Sequence, residues 1–350
     1  MNSNSSPARL SRELSRIRTA LSVLATTPPR PGTAQLGSVI LSEHKLTLTR
    51  YGNGDRAVLL IPPPAAPAAA FDLRRGQSLL EQLITDGHTV YLADYGDISF
   101  ADRKMGFEDW IDRIVPNAAK AAAADAGENV AVIGWSLGGT LSLLTSAAHP
   151  DLPIRSIAAI ATPIDYSKLA TIAPLRQASA LTGGQVLGTM NRVIGGIPPW
   201  LVRNGYRLTS IERELKKPWF VLQNTDDVEK LDQMKSIDGF TAAMPAYPGR
   251  LFNQMWHRLM LGNELASGGF GLRDRTVRLD AITVPVLAVA GLADAIAPVP
   301  VARPITDVLS RAASVRFETA PGGHLGVLTG PKAAATTWRY LDEHLASSAH

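Results

Sequence analysis

The chain has 350 residues, 45% hydrophobic and 19% charged, with a formal net charge of +4 and an isoelectric point near 9.4. That balance excludes a disordered or fibrous protein, and the length suffices for one large α/β domain with an insertion or for two domains. No Lys/Arg block is dense enough for a nucleic-acid stripe, no stretch approaches the roughly 18 apolar residues of a membrane span, and the absence of cysteine excludes disulfides, thiolate metal sites and a thiol nucleophile.

Residues 1–7 are rich in Ser and Asn. From Pro7 to about Ala25, Leu10, Leu14, Ile17, Leu21 and Leu24 recur three or four apart while Arg9, Arg12, Arg16 and Arg18 are opposed only by Glu13. Such a basic amphipathic helix packs on its own domain, lies on a lipid surface or granule, or docks a partner. With no charge-free apolar core before a small-residue cleavage site, the N-terminus does not read as a secretory signal, and the expected compartment is cytoplasmic. Thr27–Thr33, rich in Pro and Gly, reads as a linker.

Ser38–Ser42 and Lys45–Tyr51 predict a hairpin, and Ala57–Ile61 a buried strand that stops at Pro62-Pro63-Pro64. Helix and strand then alternate: a helix near Gly76–Asp86, a strand Thr89–Tyr95, a helix Phe107–Ala124, a strand over 129–135, a helix from Thr140, and a strand Ile154–Ala161. This alternation predicts an α/β fold, a mostly parallel sheet covered by helices on both faces. From about Asp165 to Arg278 the rhythm breaks into Pro/Gly-interrupted helical pieces holding Trp200, Trp219 and Trp256, with no convincing strand. An insertion of that length reads as a helical cap. Strands Val284–Ala290 and Ser314–Thr319, a helix after Pro304 and one from about Lys332 to Leu345 complete the core. The expected organisation is therefore an N-terminal helix and linker (1–33), a first core part (34–164), a cap (165–280) and a second core part (281–350).

The chemistry is concentrated at Gly134-Trp135-Ser136-Leu137-Gly138, which follows an apolar β-branched run and precedes an apolar helical pattern. In a strand-turn-helix context, Gly-x-Ser-x-Gly marks a nucleophile elbow. The close backbone approach there needs residues without Cβ at 134 and 138, and the following helix aims its N–H groups at a developing oxyanion. A serine hydroxyl needs a positioned base and an orienting acid. Of the seven histidines, His324 alone sits in a Gly-rich loop directly after a predicted sheet strand; His257, within the predicted cap, is the alternative base. Asp294 lies just past the strand that ends at Ala290, and the chain order Ser136, Asp294, His324 is that of an α/β-hydrolase. Asp94 and Asp97 precede the nucleophile and read as loop-structuring residues. The oxyanion hole needs two N–H donors. Leu137 supplies one; after Pro62, Pro63 and Pro64, which have none, Ala65 is the first residue able to supply the other, although the same stretch also reads as a rigid turn. No His/Asp spacing suits a metal, and the Gly-rich stretches at 183–184, 195–196 and 268–271 lack a Walker lysine or a Rossmann context, so no cofactor is expected.

These residues resemble the polyhydroxyalkanoate synthase family of the α/β-hydrolase superfamily, from about Ala57 to Leu345. The matching stretches are Leu59–Pro63 with Phe71-Asp72-Leu73, Gly87–Gly96 with Ala101-Asp102-Arg103, and Ala161–Tyr166. Asn263-Glu264-Leu265, Leu279-Asp280, Ile282, Pro285 and Pro321–Val327 complete them. The resemblance implies Ser136 as nucleophile, Asp294 as acid, His324 as base and Ala65 as an oxyanion donor, and it implies a homodimer through the cap. One departure stands out: the synthases use cysteine where this chain has Ser136. An oxygen ester on serine lies lower in energy than a thioester and is normally resolved by water or an alcohol. The polar residues that family members carry after the Pro-Pro pair are also replaced, by Ala66, Pro67 and Ala68. Both departures favour a serine esterase or lipase acting on apolar or hydroxyacyl esters. The alternatives are a synthase-like acyltransferase using acyl-CoA and a non-catalytic lipid-granule or partner-binding protein.

Overall fold

Eight strands form one central sheet in a computed structural model that describes residues 36–181, 196–208 and 211–348. The helix expected over residues 7–25 and the linker after it lie outside the described residues. The strands are β1 (Ser38–Glu43), β2 (Leu46–Tyr51), β3 (Arg56–Ile61), β4 (His88–Asp94), β5 (Val130–Trp135), β6 (Ile154–Ile160), β7 (Val286–Gly291) and β8 (Val315–Ala320). They are ordered β1-β2-β4-β3-β5-β6-β7-β8; β1/β2 and β2/β4 are antiparallel and every other pair is parallel.

The near-continuous apolar runs of β3 and β5 follow from burial on both faces. Leu59 and Ile61 pack with Trp110, Leu141 and Leu144 in one core, while the alternate residues Val58 and Leu60 pack with Leu80, Ile133 and Leu328 in the other. The helices supplying those layers include α1 (Leu79–Thr85), α2 (Val115–Ala126) and α3 (Leu137–Ala148). The single helix expected over 107–124 is interrupted by a π-turn, Trp110–Ile114. Pro116 follows that turn. It cannot donate to the Asp112 carbonyl and its ring would crowd it in a straight α-helix, and the wider turn relieves both problems.

Between β6 and β7 runs the long insertion. Its described helices include α4 (Ala173–Leu181), α5 (Pro199–Leu208), α6 (Ile211–Gln223), α7 (Val228–Ala242) and α8 (Gly249–Gln254). The sequence suggested no strand here, but two small ladders occur: Gly196–Ile197 with Tyr247–Pro248, and Gly269–Gly271 with Thr276–Arg278. Two or three residues of Gly- and Pro-containing chain are too short to display an alternating pattern. The two legs of the insertion are clasped by one side chain. Asn263, at φ 50°, accepts from the Tyr166 backbone N–H at 2.7 Å and donates to Asp165 Oδ1 at 2.8 Å. No helix among the described residues is long and apolar enough to cross a membrane.

The closing helix α9 (Arg339–Ser347) lies against β6, and just beyond its end Ser348 Oγ donates to Ser156 Oγ at 3.0 Å. On this helix His344 is buried. Loss of water, reinforced by the nearby Arg316 charge and only partly opposed by the Ile157 carbonyl, pushes its pKa down to about 4. The unfolded chain therefore takes up this proton before the folded one does. The stabilising contribution is complete above the unfolded pKa of about 6.5 and is lost as pH falls toward 4. From pH 7.5 to pH 5 this one group should remove about 2 kcal/mol of stability. Urea unfolding at the two pH values should show that difference shrinking by a similar amount in His344→Gln.

Candidate active site

β5 ends at Trp135 and α3 begins at Leu137, so Ser136 alone must reverse the chain. It does so at φ 56° and ψ −126°, a region that a residue with a Cβ rarely adopts. The turn is held from outside: Ser136 N–H donates to the Ile160 carbonyl at 2.8 Å, and its own carbonyl accepts from Gly139 N–H at 3.0 Å. A Cβ on Gly138 would collide with the Ile61 carbonyl oxygen, as the sequence argument about close approach anticipates. A Cβ on Gly139 would collide with Thr162 Oγ1. That second requirement is invisible in the motif, because Thr162 arrives from the end of the neighbouring β6.

His324 and Asp294 meet Ser136 at the carboxyl ends of β5, β7 and β8. His324 Nε2 lies 2.8 Å from Ser136 Oγ, and Nδ1 lies 2.8 Å from Asp294 Oδ2. With its proton on Nδ1 the ring donates to Asp294 and accepts from the serine hydroxyl. The other carboxylate oxygen accepts from the backbone N–H groups of Ile296 at 2.7 Å and Ala297 at 2.8 Å. Burial alone would raise the Asp294 pKa. The positive charge His324 carries when protonated, its hydrogen bond and the two backbone donors outweigh burial and hold it below the usual carboxylate range. The alternative base His257 is exposed on the π-turn Met255–Leu261. Asp94 accepts from Gly96 N–H at 2.8 Å, a loop-structuring bond. Among the described residues no cluster of His, Asp or Glu gathers as a metal site.

Leu137 is the first residue of α3, so its N–H is one of the donors that a helix start leaves without an intrahelical acceptor. Ala65 is buried in the loop after β3. There Ala66 N–H donates back to the Pro63 carbonyl at 3.1 Å and Tyr95 Oη donates to the Pro62 carbonyl at 3.1 Å. The turn engages Ala66 and leaves the Ala65 N–H outside it. Gly138, pressed on Ile61 and Pro62, keeps this loop against the elbow.

Trp135 escaped sequence reasoning. Its indole N–H donates to the His324 carbonyl at 3.0 Å and its ring lies 5.2 Å from the imidazole, so the residue before the serine also braces the histidine loop. A signal was present, a large aromatic in a tight turn, but its partner lies 189 residues away. A cavity of about 220 Å³ opens beside His324, lined by residues that include Leu73, Tyr206, Gln233, Ile237, Ile296 and Leu325.

Sheet order and elbow together define an α/β-hydrolase fold. Within that class, the chain is similar to the poly(3-hydroxyalkanoate) polymerase subunit PhaC of Allochromatium vinosum, 28% identical over 306 residues that cover 84% of this chain and 83% of the relative. It is also similar to the PhaC subunit of Haloferax mediterranei, 20% identical over 88% of this chain and 63% of that longer relative. The synthase resemblance read from the motifs is thus borne out along most of the sequence. No protein-family model matches the chain. Among solved structures, the monoacylglycerol lipase of Paleococcus ferrophilus superposes with a TM-score of 0.52 at 17% identity, covering 87% of this chain and 99% of that one, and shows the shared fold.

Two substitutions test the geometry through covalent labelling of Ser136 by a fluorophosphonate probe. Asp294→Asn should present the wrong imidazole tautomer and slow labelling by roughly three to four orders of magnitude. Trp135→Phe keeps an aromatic ring at this buried position but removes the indole N–H and part of the packing, so labelling should slow about five- to tenfold.

Proposed function

We propose that the protein is a serine hydrolase of carboxylic esters with an apolar or hydroxyacyl group, working through an acyl-serine intermediate. Ser136 Oγ attacks the ester carbonyl and its proton passes to His324 Nε2. Asp294 keeps the imidazole in the required tautomer and stabilises the imidazolium that forms. The N–H groups of Leu137 and Ala65 receive the oxyanion, one from the helix start and one from a loop stiffened by three prolines. His324 then protonates the departing alcohol, and water activated by the same ring releases the acid. In this reading residues 165–280 cap the site. The observation that carries it is the unbroken series of contacts from Ser136 through His324 to Asp294, each 2.8 Å. The same contacts argue against a non-catalytic granule protein.

A second reading has a specific basis in the similarity to PhaC subunits: acyl transfer from an acyl thioester. There the thiol would leave with the His324 proton, and an acceptor hydroxyl would take the place of water. The serine nucleophile favours hydrolysis, because an oxygen ester gives back less free energy to an acceptor than a thioester does.

Hydrolysis of p-nitrophenyl esters from acetyl to palmitoyl, with Ser136→Ala beside the wild type, separates the readings. Steady turnover that falls by at least about a thousandfold in Ser136→Ala is the expected result. A stoichiometric burst of nitrophenol without turnover would instead support an acyl-serine that awaits a different acceptor.

A further inference from the structure

The cavity beside His324 is walled in part by the insertion, through Tyr206, Gln233 and Ile237. Gln233 and Ile237, one turn apart on α7, line it, and the same two side chains line a second cavity of about 350 Å³ between α6 and α7. A wall one side chain thick therefore separates the two spaces. Phe220 of α6 and Met234 of α7 supply apolar lining to the second cavity, together with Lys216, Lys217 and Lys230. A lysine rim would ordinarily suggest an anionic ligand, but two of these charges are already answered. Lys217 Nζ lies 2.6 Å from Asp238, and Lys230 Nζ lies 2.9 Å from Asp227. An incoming phosphate or carboxylate would have to compete with those carboxylates, whereas the methylene stems of the lysines remain available to an aliphatic ligand.

We propose that the α6–α7 cavity is the binding site for the distal part of a medium- or long-chain acyl group. The first carbons of the chain lie beside His324, and the remainder passes Ile237 and lodges between Phe220 and Met234. The occupant is an uncharged aliphatic chain, and the Gln233–Ile237 wall shared with the His324 cavity is what identifies it. This rests on the acyl-serine reading above. Each methylene buried there should tighten binding about fourfold, so preference should rise with chain length until the second cavity is filled.

Met234→Trp tests the assignment, because Met234 lines the second cavity and not the first. The expected result is a loss of at least tenfold in kcat/KM for p-nitrophenyl palmitate with the butyrate value kept within twofold. Equal losses on both esters, or no loss on palmitate, would overturn it. Circular dichroism melting checks folding, and Phe220→Trp, on the opposite wall, replaces Met234→Trp if the latter is unfolded. A second measurement contains no chemistry: binding of a pyrene-tagged dodecanol to Ser136→Ala protein, which the further substitution Met234→Trp should weaken at least tenfold. If the wild type cleaves no ester of any length while this binding behaves as expected, the hydrolase reading fails and the chain site stands. If esters are cleaved but the probe binds equally well with and without the Met234→Trp change, the chain site fails alone.

Discussion

The backbone of Ser136 is the constraint on which the site depends. Holding a serine at φ 56° and ψ −126° costs on the order of 1–3 kcal/mol. The conformation persists because its surroundings leave no alternative: β3, β5 and β6 lie side by side, and α3 starts so close to them that Gly138 touches the end of β3 and Gly139 touches Thr162 beyond β6. The parallel sheet thus acts as a clamp on a single residue. What the clamp provides is direction, since the hydroxyl stands clear of the strand ends and adjoins the first N–H of a helix.

The rest of the relay is brought to that point by elements far apart in the chain. Asp294 is fixed before it meets the histidine, since two backbone donors just past β7 already hold one of its oxygens. His324 is held from both sides, by Asp294 at Nδ1 and by Trp135 at its backbone carbonyl. Trp135 also packs on Phe240 of α7, with ring centroids 6.0 Å apart, and Phe240 packs on Tyr206 of α5 at 6.1 Å. Trp135 is therefore in physical contact with His324 and, through Phe240, with the helices of the insertion.

Much of this was legible in the sequence because it is local. The elbow needs contiguous residues, so Gly134, Ser136 and Gly138 announce it. Asp294 and His324 stand one short loop beyond apolar strands, and three prolines eliminate their own N–H groups until Ala65. What was not legible depends on partners distant in the chain. Nothing near Gly139 reports the approach of Thr162, and nothing near Trp135 reports the His324 carbonyl. The π-turn before Pro116 could have been suspected from the proline, but where the helix would widen is settled by packing. The two small ladders in the insertion are shorter than one period of any pattern, and Asn263 reads as an ordinary loop asparagine until its two partners are seen.

That asparagine has an evolutionary consequence. By joining Asp165 and Tyr166 to position 263, it closes a loop of nearly a hundred residues at its base. The free energy of closing a loop grows only logarithmically with its length, about 0.6 kcal/mol for each doubling. Once the base is fastened, segments can be added to or removed from the enclosed chain at little cost to the sheet. Descendants of such a sequence could reshape the enclosed chain while inheriting Ser136, His324 and Asp294 in unchanged contact.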